Sequence, residues 1–210
     1  MIDYNKGIHP HSGMNFEVHK DIIITPFFTP EFCKELVELA QFYRERFVWD
    51  PSSDLYPNWE LFLTDVNRFM FDDFVEHYKT RICPMLERVY LKDDIWGFFS
   101  PFINRYTMDS QRSQRLHNDT SMVSMVIKLN DDYEGAVLEF PRQGWNNRDL
   151  PPGYAVIFPG SVTHPHQVTE LESGVKYTFV SWTWPDNWRD PKGKHRNGPP
   201  EVPVERPKLY

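Results

Sequence analysis

The runs SMVSMVIKL at residues 121–129, AVLEF at 136–140, YAVIFPG at 154–160, HQVTEL at 166–171 and KYTFVSWTW at 176–184 are rich in β-branched and aromatic side chains. The turn-forming sequences NDD, PRQG, PPG and ESG lie between or within them. Short strands that recur at regular spacing are typical of sandwiches and barrels. We therefore predict a mainly β fold with a double-stranded β-helix (jelly-roll) core over residues 98–184.

The chain before this core predicts a strand followed by two amphipathic helices. DIIITPFF at residues 21–28 is β-branched and aromatic, and Thr29-Pro30-Glu31 supplies the cap, the proline and the early acid of a helix N-terminus. Apolar residues then recur at spacings of three and four, first over residues 32–47 and again over residues 71–89. Pro84 is expected to kink or split the second helix. We expect both helices to buttress the sheet.

Composition and charge restrict the class of the protein. The 210 residues are 40% hydrophobic, which is enough for one packed core, so we expect a single domain over residues 1–184 and a Pro-rich C-terminal tail over 185–210. The net charge of −7 disfavours nucleic acid as a partner. The N-terminus lacks the apolar segment of a signal peptide, and no apolar run is long enough to span a bilayer. We therefore expect a cytoplasmic protein with no membrane partner.

The two cysteines, Cys33 and Cys83, lie in apolar helical stretches and are expected to be buried thiols. The chain has no Cys-x-x-Cys spacing, so any metal ligands must be histidines and carboxylates.

His117, Asp119 and His166 are the candidate metal ligands. His117 and Asp119 are two apart, so on an extended strand both project from one face, and His166 follows 47 residues after Asp119 at the start of another predicted strand. Two histidines and one carboxylate leave coordination positions open, which is typical of non-haem Fe(II) oxygenases. We therefore predict an Fe(II) site with catalytic function.

Lys176 is the candidate binding residue for a second cofactor. It follows His166 by ten residues and Gly174 by two, in a predicted strand that would run near the metal. A 2-oxoglutarate molecule that chelates iron through its ketoacid end needs a cation for its far carboxylate, and a hydroxyl donor beside that cation would help. We predict that Lys176 is this cation and that Tyr106 is the donor.

Other histidines and aromatic residues have more ordinary interpretations. His164 competes with His166 for the metal, and we expect it to be a surface residue or one that supports a ligand. Trp182, Trp184 and Tyr177 are expected to pack the barrel, with a substrate cage as the alternative. Five histidines are expected to be solvated: His9, His11, His19, His77 and His195.

Residues around the predicted site resemble a known family, the 2-oxoglutarate oxygenases of the prolyl and lysyl hydroxylase group. The similarity is to the catalytic domain of procollagen lysyl hydroxylases and covers roughly residues 20–186. It includes positions that a metal site does not need. These are Arg105-Tyr106, Asp109, Gln111, Ser113, Arg115, Ser121, Leu129-Asn130, Asp132-Tyr133-Glu134-Gly135, Phe140-Pro141-Arg142, Pro159-Gly160, Thr163-His164 and Gly174.

The resemblance implies the same metal ligands, the same role for Lys176, and a hydroxylase that converts 2-oxoglutarate and O2 to succinate and CO2, with ascorbate as a supporting reductant. It also makes a homodimer plausible. Two departures concern the substrate: lysyl hydroxylases normally have arginine where this chain has Lys176, and Val126 replaces a usual asparagine.

We expect a peptidyl lysine substrate. Four alternatives remain open: a prolyl 4-hydroxylase-like enzyme, a free amino acid hydroxylase, a nucleic-acid demethylase and a non-catalytic jelly-roll binding protein.

Overall fold

Two antiparallel sheets form the centre of the structure, a computed structural model that describes residues 2–49, 58–91, 97–98 (backbone only) and 101–184. The strands are β1 Glu17–His19, β2 Ile22–Pro26, β3 Glu60–Phe62, β4 Gly97–Phe98, β5 Phe102–Thr107, β6 Gln114–His117, β7 Val123–Lys128, β8 Tyr133–Gly135, β9 Leu138–Phe140, β10 Trp145–Asn146, β11 Tyr154–Pro159, β12 His166–Val168 and β13 Leu171–Trp184. The α-helices are α1 Tyr4–Gly7, α2 Pro30–Phe42, α3 Leu63–Val66, α4 Arg68–His77 and α5 Cys83–Tyr90.

The larger sheet has the strand order β1-β2-β11-β7-β13-β5-β3, and β4 and β8 also pair with β13. The smaller sheet has the order β10-β9-β12-β6. One face of each sheet contributes to a shared apolar layer, whose members include Ile22, Ile24, Val156, Phe158, Leu138, Phe140 and Val168. Two antiparallel sheets that pack through such a layer match the predicted jelly roll.

Helices cover the other face of the larger sheet. Side chains alternate between the two faces of a strand, so the neighbours of the inner-layer residues point toward the helices. The resulting cluster includes Ile23, Ile127, Ile157 and Phe179 from the sheet and Phe32, Leu36, Phe74 and Leu86 from the helices. The predicted buttress is therefore present. None of the helices in the described ranges is long and apolar enough to cross a membrane.

Helix α2 begins where the sequence predicts. The Thr29 hydroxyl accepts a hydrogen bond from the Phe32 N–H, and Pro30 occupies the first turn. The helix ends at Phe42, before a short 3-10 turn at Arg44–Arg46, so the apolar pattern up to Phe47 extends beyond the helix.

The second predicted helix is split, as Pro84 suggested. A π-helical segment, Tyr78–Ile82, separates α4 from α5, and Pro84 lies in the first turn of α5, where its missing N–H costs no helical hydrogen bond. Cys33 and Cys83 are both buried and free, as predicted, and burial raises the pKa of each thiol to about 12.

Strand β13 differs from the sequence prediction. Glu172-Ser173-Gly174 was expected to form a turn, but one strand continues from Leu171 to Trp184. Gly174 allows this with a positive φ of 80°, and the register with β8 shifts between Leu171 and Ser173. The strand therefore continues through this segment, because β8 pairs with Leu171, Ser173 and Gly174 across the irregularity.

Candidate metal and co-substrate site

His117, Asp119 and His166 lie together at the end of the smaller sheet. His117 is the last residue of β6, His166 is the first of β12, and the two pair directly across the strands. Asp119 lies just beyond β6, in the following loop and not on the strand as the spacing suggested. Its Oδ1 is 3.6 Å from His117 Nε2 and 3.7 Å from His166 Nε2.

Backbone carbonyls orient both histidine rings. His117 Nδ1 is 2.9 Å from the Arg115 carbonyl oxygen, and His166 Nδ1 is 3.1 Å from that of His164. A carbonyl can only accept, so each Nδ1 carries the proton and each Nε2 presents its lone pair toward Asp119. This is the tautomer that a metal ligand requires.

Asp119 is held as a buried carboxylate. Its Oδ2 accepts a 2.5 Å hydrogen bond from the Ser124 hydroxyl in β7, which leaves Oδ1 facing the histidines. Burial by itself would raise the pKa of Asp119, but His166, His117 and the Ser124 hydroxyl together hold the pKa below its ordinary value. The group is therefore an anion at neutral pH, as a metal ligand needs to be.

Lys176 lies in β13 directly opposite Tyr106 of β5. Only 1% of Lys176 is exposed, and its ammonium donates a 2.6 Å hydrogen bond to the Ala136 carbonyl. Its Nζ also lies 5.3 Å from the centre of the Tyr106 ring. Within the described ranges Lys176 forms no ion pair, and burial, with a smaller effect of Lys128, lowers its pKa to about 7. An anionic ligand would relieve this unpaired charge.

Tyr106 presents a ring to Lys176 and uses its hydroxyl elsewhere. The hydroxyl donates to Gln114 Oε1 at 3.1 Å and lies 3.5 Å from Asn58 Oδ1. Burial raises the pKa of Tyr106 well above its ordinary value, so the hydroxyl keeps its proton. Its predicted hydrogen bond to 2-oxoglutarate would require the hydroxyl to leave Gln114.

One small cavity, of about 40 Å³, joins the three candidate ligands to Lys176. Apolar side chains make up much of its wall, and Val126, which we expected to alter the pocket, is among them. The full lining is Asn58, Phe102, Asn104, Tyr106, Gln114, His117, Asp119, Val126, Leu138, His166, Val168, Lys176, Thr178, Val180 and Trp182. The structure thus brings all five predicted site residues to one pocket.

The donor set fits Fe(II). The nearest ligand atoms of the three side chains all lie within 4.8 Å of one another, so one ion with bonds of about 2.1 Å could contact them after a small closure. Two imidazoles and one carboxylate leave positions open for a chelating co-substrate and O2. Among the described residues this is the one group of three or more such side chains with this spacing.

One histidine prediction is met in its second alternative, and another needs correction. His164 is 3% exposed and supports a ligand, as its carbonyl orients His166, while its own Nε2 contacts the Lys20 carbonyl. His77 was expected to be solvated but is 4% exposed, between Tyr4 and Ser12, with burial as the main cause that lowers its pKa to about 4. Burial of both depends on segments distant in sequence.

The aromatic residues of β13 have separate roles. Tyr177 belongs to the helix-facing core, and the Trp184 indole N–H donates to the Thr120 carbonyl, so both pack as expected. Trp182 packs against Phe102 and also lines the cavity. The alternative of a substrate-facing role therefore stays open for Trp182.

Sequence analysis did not single out Ser124, Gln114, Asn104 or Thr178, which also contact the site or line its cavity. The alternation of β7 could have placed Ser124 on the same face as Val126, but nothing local shows that Asp119 folds over it. Positions such as these become visible only when the strand register is known.

Comparisons with known proteins support the resemblance. No family model matches the chain. Procollagen-lysine,2-oxoglutarate 5-dioxygenase 1 of Mus musculus is 29% identical over 187 residues, which cover 79% of this chain and 24% of the mouse protein. A procollagen lysyl hydroxylase and glycosyltransferase of Acanthamoeba polyphaga mimivirus is 26% identical over 182 residues, 79% of this chain and 20% of the viral protein. The chain thus spans about a quarter or less of the length of these relatives.

Solved structures confirm the predicted fold. A prolyl-4-hydroxylase of Pseudomonas putida superposes with a TM-score of 0.60 at 16% identity, covering 80% of this chain and 94% of the bacterial chain. A prolyl hydroxylase of Trichoplax adhaerens, solved with a hypoxia inducible factor peptide, gives 0.59 at 12% identity, covering 79% and 84%. The predicted similarity to the lysyl and prolyl hydroxylase group is therefore confirmed, as is the jelly-roll architecture.

Proposed function

We propose that this chain is an Fe(II)- and 2-oxoglutarate-dependent hydroxylase that acts on peptidyl lysine. The observation that carries the proposal is one cavity that contains His117, Asp119, His166 and the buried ammonium of Lys176, which forms no ion pair with any described residue. A metal site alone would fit many activities. A metal site that shares a pocket with a cation lacking an anionic partner fits a metal-chelating dicarboxylate.

Each of these residues has a defined task in the proposed reaction. His117 Nε2, Asp119 Oδ1 and His166 Nε2 would hold Fe(II), and Lys176 would bind the far carboxylate of 2-oxoglutarate. When bound, iron and 2-oxoglutarate supply O2 activation, with one oxygen atom going to succinate, the other to the substrate hydroxyl, and one carboxylate leaving as CO2. The apolar part of the wall, which includes Val126, Leu138 and Val168, would limit the access of water to the bound co-substrate.

The lysine assignment has support from sequence and charge. The relatives named above are procollagen-lysine dioxygenases and lysyl hydroxylases by name. The net charge of −7 would attract a cationic side chain. Proline is the second candidate, because the solved neighbours named above are prolyl hydroxylases and because Lys176 departs from the arginine that the resemblance to lysyl hydroxylases implies. Free lysine is a third.

Matched peptides test the assignment. The protein is incubated with Fe(II), 2-oxoglutarate, ascorbate and peptides that differ only in having lysine, proline or alanine at one position, with free lysine as a further arm. We expect substrate-stimulated succinate formation and the mass gain of one oxygen atom on lysine. A gain confined to proline would reject the lysine assignment and keep the reaction class. Absence of succinate in every arm, with iron bound, would reject the hydroxylase.

Two further parts of the proposal concern the whole protein. We propose a homodimer supported by the tail at 185–210, which lies outside the described residues. The predicted cytoplasmic location and the supporting role of ascorbate stay predictions.

A further inference from the structure

Asn104 is a buried amide whose oxygen has no hydrogen-bond partner among the described residues. It is 6% exposed, and its Oδ1 makes no hydrogen bond to any described residue. A buried amide that lacks partners is costly, and native proteins rarely keep one without a ligand or water to satisfy it. Asn104 lines the cavity that holds the candidate metal ligands. The missing partner should therefore be a molecule that enters this cavity.

The strand register places Asn104 between the metal end and the Lys176 end of the cavity. At the metal end, Ser124 holds Asp119 and pairs across the sheet with Trp182. At the other end, Lys176 pairs with Tyr106. Between these ends, every second residue of each strand lies on the face of the sheet that lines the cavity.

The intervening pairs are Val180 with Val126 and Phe102, and then Thr178 with Asn104. Asn104 and Thr178 are thus the pair nearest to Lys176, about 7 Å along the strand from it. A ligand that contacts both the metal and the Lys176 ammonium has to pass beside this pair.

We propose that Asn104 is a further co-substrate-binding residue, whose amide N–H donates a hydrogen bond to a carboxylate oxygen of 2-oxoglutarate. The inference rests on the proposed function and adds a residue to its site. The amide carries a donor and an acceptor, and a half-turn exchanges their positions, so its N–H can be presented to a carboxylate oxygen. Lys176 supplies charge at one end of the diacid, and Asn104 fixes its orientation between Lys176 and the metal.

The structure offers a matched control for this assignment. Asn147 is 5% exposed, but its Oδ1 accepts a 2.9 Å hydrogen bond from the Leu138 N–H, and it does not line the cavity. Asn147→Leu removes a satisfied amide, so it should lower the melting temperature. Asn104→Leu removes an unsatisfied amide of similar volume, so it should leave the melting temperature unchanged or raised.

The test measures 2-oxoglutarate binding by calorimetry, with redox-inert Mn(II) as the metal. We expect Asn104→Leu to weaken the Kd about 10- to 100-fold, the loss of one hydrogen bond to a charged group. Asn104→Asp, which keeps the shape but replaces the donor with a negative charge, should weaken it further. Asn147→Leu should bind 2-oxoglutarate as wild type does.

Three outcomes would overturn the inference. A wild-type Kd in Asn104→Leu would show that the amide does not contact the co-substrate. An unchanged Kd with a raised KM for the lysine peptide would place the amide against the substrate instead. A lowered melting temperature together with weakened binding in Asn104→Leu, and retained binding in Asn104→Asp, would make the role structural. If wild type itself does not bind 2-oxoglutarate, the proposed function fails and the inference falls with it.

Discussion

At the scale of single residues, the site combines groups whose protonation states are set by burial. Asp119 stays ionised because two imidazoles and the Ser124 hydroxyl offset its desolvation. Among the described residues no carboxylate pairs with Lys176 to offset its desolvation, so its ammonium is poorly stabilised. The first group is therefore ready to bind a cation, and the second is ready to bind an anion.

Replacing Asp119 tests the metal site. Asp119→Ala should reduce metal binding from one ion per chain to a level below detection and abolish turnover, because two neutral imidazoles alone hold Fe(II) weakly. Metal analysis after gel filtration and the shift in melting temperature with Mn(II) measure the effect. Asp149→Ala, at an exposed carboxylate, is the control and should bind as wild type does. Normal metal content in Asp119→Ala would refute the assignment of this ligand.

The pKa of Lys176 predicts a pH dependence for co-substrate binding. In the free protein the ammonium is lost as pH rises through about 7, so the Kd for 2-oxoglutarate should increase about tenfold for each pH unit above that. Lys176→Arg should give a flat profile, because a guanidinium stays charged, and Lys176→Ala should bind weakly at every pH. Calorimetry from pH 6 to pH 9 measures the three profiles.

Higher pH should weaken co-substrate binding, but the same pKa shift should make the folded state more stable at higher pH. The pKa of Lys176 lies below its ordinary 10.5, so the unfolded chain binds more protons between about 7 and 10.5. The contribution of Lys176 to the free energy of unfolding therefore rises with pH across that window.

Equal 2-oxoglutarate affinity in wild type and Lys176→Ala would assign the carboxylate to another cation. Arg105 is poorly placed for this, since its guanidinium packs over Phe47 and Trp59.

At the scale of elements, β13 is the strand on which the site depends. It pairs with β5, β7 and β8, and its alternate residues from Lys176 to Trp182 line the cavity. Gly174, with its positive φ, lies where the pairing with β8 ends and the pairing with the other strands of the larger sheet begins. The position of Lys176, two residues later, therefore depends on this glycine.

Gly174→Ala should destabilise the protein and weaken 2-oxoglutarate binding. Its φ is 80°, and a Cβ there would overlap the Asp132 carbonyl oxygen. Gly144→Ala is the matched control, with a φ of 66° and no heavy atom within 4 Å of the added carbon. We expect the control to lower the free energy of unfolding by about 1 kcal/mol, from backbone strain alone, and Gly174→Ala to lower it on the order of 3 kcal/mol. Urea denaturation measures both, and equal costs would show that the close approach does not matter.

At the scale of the whole molecule, the two sheets and the helical layer have different roles in forming the site. The helices bury the outer face of the larger sheet, so its inner face is free to carry the cavity. The smaller sheet contributes His117 and His166, and the larger contributes Lys176 and the hydroxyl that orients Asp119. The site thus lies between two sheets and depends on both.

Removing the tail tests the proposed dimer. A chain that ends at Trp184 should be a monomer in light scattering, with about half the solution mass of the dimeric 210-residue chain. The reason is that a Pro-rich segment of low periodicity is more suited to docking than to core formation. The wild-type chain at several concentrations is the control. An unchanged mass and an unchanged melting temperature would show that the tail has no structural role.

The amino-acid sequence by itself determined the jelly-roll class, the helical buttress and the candidate residues of the site. These follow from local patterns: alternation in strands, the Thr29-Pro30 cap, the spacing of His117 and Asp119, and the offset of Lys176 from His166. Each is contained in one short segment or in the distance between two segments, so no contact has to be known to find it.

Only the tertiary structure decided the register of the strands and which polar side chains are buried. Four features depend on residues far apart in the chain: the direct pairing of His166 with His117, the continuation of β13 through Gly174, the burial of His77, and the Asn104 amide oxygen that has no partner among the described residues. The physical reason is that a hydrogen-bond partner or a desolvating neighbour is supplied by another strand or helix. Its identity is set when the sheets pack together, and not by the local sequence.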